Sequence, residues 1–191
     1  MSGSHLVRGQ RTASPATTTV VVIGASMAGL VTARVLSDHV DRVAVVERDR
    51  LPTGAESRRG VPQGRHAHAL LGAGQRLIDR WFPGLVAELE AGGAERLDGR
   101  EFWYQGGGTR VRADFGITTV SVSRPYLETT VRRHLVARGN VSIVDGCRVD
   151  GLQLDGGRVT GSPGHRVDDR RSADAGRPGR GLLWASQSLR R

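Results

Sequence analysis

The run Thr19-Val-Val-Val-Ile-Gly-Ala-Ser-Met-Ala-Gly-Leu30 decides how the rest of the chain is read. Its first five residues are β-branched throughout, the composition of a short parallel strand buried on both faces. A glycine-bearing turn follows. Met27, Leu30, Val31, Ala33, Val35 and Leu36 then line the apolar side of a helix that ends near Asp38 or His39. Val43-Ala-Val-Val46 reads as a second buried strand, stopped by the charged Glu47-Arg-Asp-Arg50. Strand, helix and strand at this spacing form one right-handed βαβ unit.

That placement gives the turn its chemistry. A dinucleotide's diphosphate needs backbone N–H groups at a helix N-terminus, where unpaired donors and the helix dipole attract an anion. The candidates are therefore Gly24, Ala25, Ser26, Met27, Ala28 and Gly29. Gly24 permits the tight turn, and Gly29 lets the helix pack close to the strand. Ser26 stands where the G-x-G-x-x-G pattern has its middle glycine, so the barest backbone approach is lost and a small hydroxyl takes its place. Glu47 lies eighteen residues after Gly29, just past the second strand. There a carboxylate accepts hydrogen bonds from an adenosine ribose and repels a ribose 2′-phosphate. The plainer alternative is a solvated Glu47 beside Arg48, with a turn that binds nothing; strand, turn, helix and carboxylate together favour nucleotide binding.

Arg124 is the next candidate. It immediately precedes Pro125, which opens a helix carrying Leu127, Val131 and Leu135 at four-residue spacing. A cation at that end meets the positive pole of the helix dipole, and a bound anion would reverse the sign. An Arg124–Glu128 pair is the competing explanation. His66 and His68 are two residues apart with no third ligand nearby, and are read as ordinary polar residues at a helix start. Cys147 has no activating neighbour and is read as a small buried residue.

Elsewhere the pattern is coarser. Residues 52–64 read as a long Gly-, Pro- and Arg-rich loop. Leu70, Leu71, Leu77, Ile78 and Trp81 recur at helical spacing, and a shorter helix over residues 85–90 stops at Gly92-Gly93. Residues 101–115 read as a hairpin turning at Gly106-Gly-Gly108, residues 118–123 as a strand, and Val141–Val144 as a third strand beside the first two. A second hairpin is expected over residues 149–160. Three segments result: a loose arm over 1–16, a domain over 17–161, and a tail over 162–191 rich in Arg, Gly, Ser and Pro. For that tail two readings stand, a disordered basic extension and an out-of-frame translation of a GC-rich gene.

Composition excludes several classes. All 28 basic residues are Arg, and the net charge is +9. Aromatic residues for base stacking are few and scattered, so no nucleic-acid partner is expected. A single cysteine rules out an internal disulfide and a multi-cysteine metal site, which suits a cytoplasmic protein. The apolar stretch over residues 20–36 approaches the length of a membrane span, but Gly24, Ser26, Gly29, Thr32 and Arg34 interrupt it, and no span is expected.

Taken in order, Val20-Val-Val-Ile-Gly-Ala-Ser-Met-Ala-Gly-Leu30, Val45-Val-Glu-Arg-Asp49, Gly60-Val-Pro-Gln-Gly-Arg-His-Ala-His68 and Val122-Ser-Arg-Pro-Tyr-Leu127 resemble bacterial FAD-dependent oxidoreductases related to para-hydroxybenzoate hydroxylase and squalene epoxidase. The resemblance covers residues 18–161. It implies an α/β, Rossmann-like FAD-binding domain with a parallel sheet and crossover helices, incomplete here, with the start of a β-rich substrate region near residues 100–123. It implies FAD as cofactor, with Gly24, Ser26 and Gly29 at the diphosphate, Glu47 at the adenosine ribose, Arg48 beside the adenosine and Arg124 reaching back to the cofactor. The loop Gly60–Gly64 would approach the flavin side. A monooxygenase using NAD(P)H and oxygen on an apolar small-molecule substrate is the activity it implies. The family's second flavin motif, a Gly-Asp pair, has no match here, so a truncated and inactive chain is one expectation. A NAD-binding dehydrogenase or reductase is another.

Overall fold

The computed structural model describes residues 17–101, 103–111, 114, 116–167 and 182–185. The expected βαβ unit is present. β1 (Thr19–Ile23), α1 (Met27–Leu36) and β2 (Arg42–Val46) are followed much later in the chain by β8 (Val141–Val144). The three strands form a parallel sheet in the order β1-β2-β8, paired Val22 with Val45 and Val45 with Ile143. Successive side chains on a strand point to opposite faces. Val43 and Val45 therefore face one side, Ala44 and Val46 the other, and all four are buried. This is why the run reads as continuously apolar rather than alternating.

The Val43/Val45 side holds the main core. Leu30 and Ala33 of α1 meet Leu127, Val131 and Leu135 of α4 (Arg124–Val136) in one cluster with Val22 and Val141. Ile78 of α2 (Gly72–Trp81), Phe82, and Leu85 and Leu89 of α3 (Leu85–Ala91) extend it. α4 begins where Pro125 placed it. Ser123 is its N-cap and accepts from the Tyr126 amide at 3.3 Å.

A second, antiparallel sheet has the order β3-β7-β4, from β3 (Ala67–Leu71), β7 (Thr118–Ser123) and β4 (Glu95–Asp98). Here two sequence expectations are corrected. Leu70 and Leu71 belong to a strand, not to the helix that begins at Gly72. His68 consequently lies on a strand rather than at a helix start. The seven-residue offset of Leu70 and Leu71 from Leu77 and Ile78 mimics helical spacing, but pairing Leu70 with Val120 fixes the segment as extended. β4, the sequence Glu-Arg-Leu-Asp, carries no apolar pattern because it is an exposed strand at the sheet's edge. The first expected hairpin is present as β5 (Tyr104–Gly106) and β6 (Thr109–Val111), and residues 102, 112, 113 and 115 of the expected span lie outside the described residues.

A third sheet is antiparallel: β9 (Cys147–Val149), β10 (Gln153–Asp155), β11 (Arg158–Arg166) and β12 (Leu182–Ala185). The second expected hairpin corresponds to β10 and β11, turning at Gly156-Gly157, whereas β9 pairs with the far end of β11. The boundary expected after Gly161 falls inside β11, where Gly164 pairs with Val149 on one side and Leu182 on the other. Residues 1–16, 168–181 and 186–191 lie outside the described residues, and the expectations for the arm and most of the tail lie there with them. Among the described residues no helix is long and apolar enough to cross a membrane.

Candidate nucleotide-binding site

The chain leaves β1 at Ile23 and turns immediately into α1. Gly24 adopts φ +100°, a conformation L side chains rarely take, and its N–H donates to the Val46 carbonyl at 2.8 Å. The turn is thereby stitched to the end of β2. Gly29 is demanded by space: a Cβ there would lie 1.8 Å from the Gly24 carbonyl oxygen. This is the close approach of helix to strand that the sequence spacing required. The first amide of α1 to donate backward is that of Leu30, to the Ser26 carbonyl at 2.9 Å. No side chain caps the helix, so the amides of Met27, Ala28 and Gly29 have no acceptor among the described residues. Helix amides left unpaired at the end of a strand–turn–helix are the donors an anion takes.

Glu47 lies at this turn. It is 5% exposed, and its Oε2 accepts from the Ala25 amide at 2.8 Å. Its Oε1 accepts from the Asp49 amide at 3.0 Å and has no other donor among the described residues. A carboxylate oxygen has two lone pairs, so Oε1 retains one for a hydroxyl. Gly24, Ser26, Val46, Glu47, Arg48 and Cys147 are among the residues around a cleft of about 360 Å³ at the carboxyl ends of β1 and β2. Arg48 stands at its rim, largely exposed and 3.9 Å from Asp49. The cleft occupies the position where open α/β sheets bind their ligands.

Arg124, far away in sequence, arrives at the same turn. Its Nε donates to Glu128 Oε1 at 2.8 Å, and its Nη2 donates to the Ser26 hydroxyl at 3.1 Å. Arg124 thus pairs with Glu128, the competing explanation, and the same guanidinium also reaches the glycine turn. Of the nine residues named from the sequence, Gly24, Ser26, Glu47 and Arg48 line the cleft, Arg124 reaches Ser26 from α4, and Ala25, Met27, Ala28 and Gly29 form the turn and the start of α1.

Two members of the site were not named. Arg58 is buried, with its side chain 8% exposed. Its Nη1 donates to Asp49 Oδ2 at 3.0 Å and lies 3.3 Å from Glu47 Oε2, while Nη2 donates to the Ala25 carbonyl at 3.1 Å. It is a clamp between the loop after β2 and the turn. Glu128 was seen only as a partner for Arg124, yet it also accepts from the Ser26 hydroxyl at 2.9 Å. An arginine in a Gly-rich loop and a glutamate one turn into a helix are ordinary in sequence; their fold-imposed neighbours make them part of the site.

A separate hollow of about 690 Å³ opens beside β3 and β7, with Arg65, His66, His68, Glu95 and Tyr126 on its walls. His68 Nδ1 is 2.8 Å from the His66 carbonyl oxygen. The lining mixes these charged and polar groups with Ala55, Ala94 and Val122.

Comparison with known proteins bears on this geometry. The family model described as FAD binding domain matches residues 17–174. Protein Rv3254 of Mycobacterium tuberculosis is 38% identical, in a match covering 87% of this chain and 40% of that protein. The chain therefore spans about two fifths of the length of this curated relative. Among solved structures, the myxobacterial chondrochloren halogenase CndH superposes with a TM-score of 0.62 at 19% identity, covering 90% of this chain and 36% of that one. PqsL of Pseudomonas aeruginosa, described as a probable FAD-dependent monooxygenase, superposes at 0.54 with 19% identity, covering 87% of this chain and 40% of that one. At such identities these structures establish a shared fold. The unpaired amides of α1, the Glu47 carboxylate and the extent of the family match lead to one conclusion: this chain belongs to the FAD binding domain family.

Proposed function

We propose that the chain holds the ADP half of FAD, with the diphosphate on the amides of Met27, Ala28 and Gly29 and the adenosine ribose on Glu47. The observation that carries this reading is the buried Glu47 carboxylate fixed at the turn, with Oε1 keeping an acceptor site toward a cleft of suitable position. Gly24 and Ala25 shape the turn, Ser26 and Arg124 flank it, and Arg48 borders the adenosine. Glu47 in this place disfavours a 2′-phosphorylated dinucleotide through charge repulsion. Arg58 keeps two carboxylates, Glu47 and Asp49, from repelling one another, so the acceptor geometry exists before any ligand arrives.

The bound flavin would supply the redox chemistry; the residues described here bind and orient its nucleotide portion. For the whole protein we propose a flavin-dependent monooxygenase, cytoplasmic, which hydroxylates or epoxidises an apolar small molecule with NAD(P)H and oxygen. The family and the folds of related flavoproteins support this reading.

The first test is a titration of the 191-residue chain with FAD, followed by flavin fluorescence. Saturable binding is expected, NAD⁺ should not displace it, and Glu47→Ala should weaken it about tenfold or more, as for loss of a hydrogen bond to a charged group. Displacement by NAD⁺ would instead favour the dehydrogenase reading. For the activity, NAD(P)H consumption should require oxygen and rise with an apolar substrate; consumption indifferent to oxygen would remove the monooxygenase.

A further inference from the structure

The middle position of the dinucleotide turn is occupied by Ser26, and the structure accounts for it through a residue more than a hundred positions away. Ser26 sits at φ −85°, ψ 176°, extended backbone open to any L residue, so no conformational demand for glycine exists there. What remains is the need for room. The hydroxyl is drawn onto α4: it donates to Glu128 Oε1 at 2.9 Å and accepts from Arg124 Nη2 at 3.1 Å. Arg124 Nε closes the ring by donating to the same Glu128 oxygen at 2.8 Å. Glu128 is 4% exposed, and its other oxygen lies 3.5 Å from Arg58 Nη2.

A carboxylate this deep is costly unless its charge is matched and its lone pairs are filled. Here two guanidinium groups and one hydroxyl satisfy it. The arrangement also answers the placement of Arg124 in the first turn of α4, where the helix dipole disfavours a cation. Glu128 lies one turn on, at the i+4 position, and holds the guanidinium there. With Nε and Nη2 engaged, Nη1 of Arg124 has no partner among the described residues and is left for an anion at the turn.

Building on the FAD reading above, we propose that Glu128 is a positioning residue of the diphosphate site. It draws the Ser26 side chain toward α4, so that a serine fits where a glycine is usual, and it fixes Arg124 for contact with the diphosphate. Glu128 touches no ligand itself; its effect on cofactor binding passes through Arg124 and Ser26.

The test is a double-mutant cycle on the 191-residue chain, with FAD affinity read by flavin fluorescence and the melting temperature of the ligand-free protein read in parallel. Glu128→Gln keeps the side chain's size and removes its charge. It should weaken FAD binding about tenfold. In an Arg124→Met background the same change should cost less than about twofold, because its route is already cut. If Glu128→Gln does not fold, Ser26→Ala takes its place in the cycle and should lose a smaller, equally Arg124-dependent part of the affinity. Wild-type binding left unchanged by Glu128→Gln, or losses that add independently of Arg124, would overturn this proposal and leave the cofactor reading standing. Failure of the wild-type chain to bind FAD at all would overturn both.

Discussion

The parallel sheet and the third sheet have ladders of comparable extent among the described residues, yet their strands are held in different ways. In β2 every residue from Val43 to Val46 is buried, and helices cover the side on which Val43 and Val45 lie. In β10 Gln153, Leu154 and Asp155 are all exposed, with Leu154 at 64% and Val159 opposite it at 56%. Burial of apolar surface stabilises the first; at Leu154 and Val159 the backbone ladder of the second is joined by little apolar burial. The proposed nucleotide site grows out of the first. A diphosphate turn has to keep several amides aimed at one point, and close packing beneath the turn achieves that.

The hardest test of this contrast is Gly29→Ala. The new methyl group would sit 1.8 Å from the Gly24 carbonyl oxygen and 2.9 Å from its carbon, both backbone atoms. α1 would have to lift from β1, and the turn would open. We expect a loss above about 3 kcal/mol, or failure to fold, measured by urea unfolding. A stable Gly29→Ala protein would show that the tight packing is not needed.

Ligand binding sharpens the comparison next. At a free FAD concentration a hundredfold above the dissociation constant, the gain is about 2.7 kcal/mol, visible as a raised melting temperature. Hydrogen exchange should localise it: amides 26–30 should become protected, and those of β10 should not change. Uniform protection across both regions would mean that the two sheets act as one unit. Of comparable or slightly smaller size, Val45→Ala should cost about 2 kcal/mol, since Val45 is fully buried. Leu154→Ala should stay within about 0.5 kcal/mol. Equal losses from the two would refute the contrast.

The same difference explains what was legible in the sequence. β1, α1 and β2 declare themselves because strands buried on both faces need unbroken apolar runs, and the turn between them needs glycine at fixed places. Glu47 followed from its offset. β3 was misread because Leu70 and Leu71 precede Leu77 and Ile78 by two helical turns, and only pairing with β7, about fifty residues on, makes the segment a strand. β4 left no trace, since an exposed edge strand such as Glu95–Asp98 has no face to bury. Arg58 and Glu128 were invisible as site members for a further reason. Their partners lie up to 102 residues away, and no local period encodes a contact between a loop, a turn and a later helix.

The smallest expected effect lies on the parallel half as well, near the C-terminal end of α1. Asp38 pairs with Arg34 at 2.7 Å and with Arg138, joining the end of α1 to the residues that follow α4. The hydrogen bond from Arg34 is the main cause that holds the Asp38 carboxyl below its ordinary range, assisted by the charges of Arg34 and Arg138. A carboxyl depressed in the folded state contributes stability above its unfolded value, and that contribution is lost as pH falls through the folded value. Asp38 is at the surface, so water and salt screen the pair, and Asp38→Asn should lower the melting temperature only slightly at neutral pH. The difference from wild type should shrink with added salt and close as the pH drops below the carboxylate range. A difference that ignored both would mean that Asp38 acts through local packing rather than by charge. The two helices over the parallel sheet would then owe their alignment to packing alone.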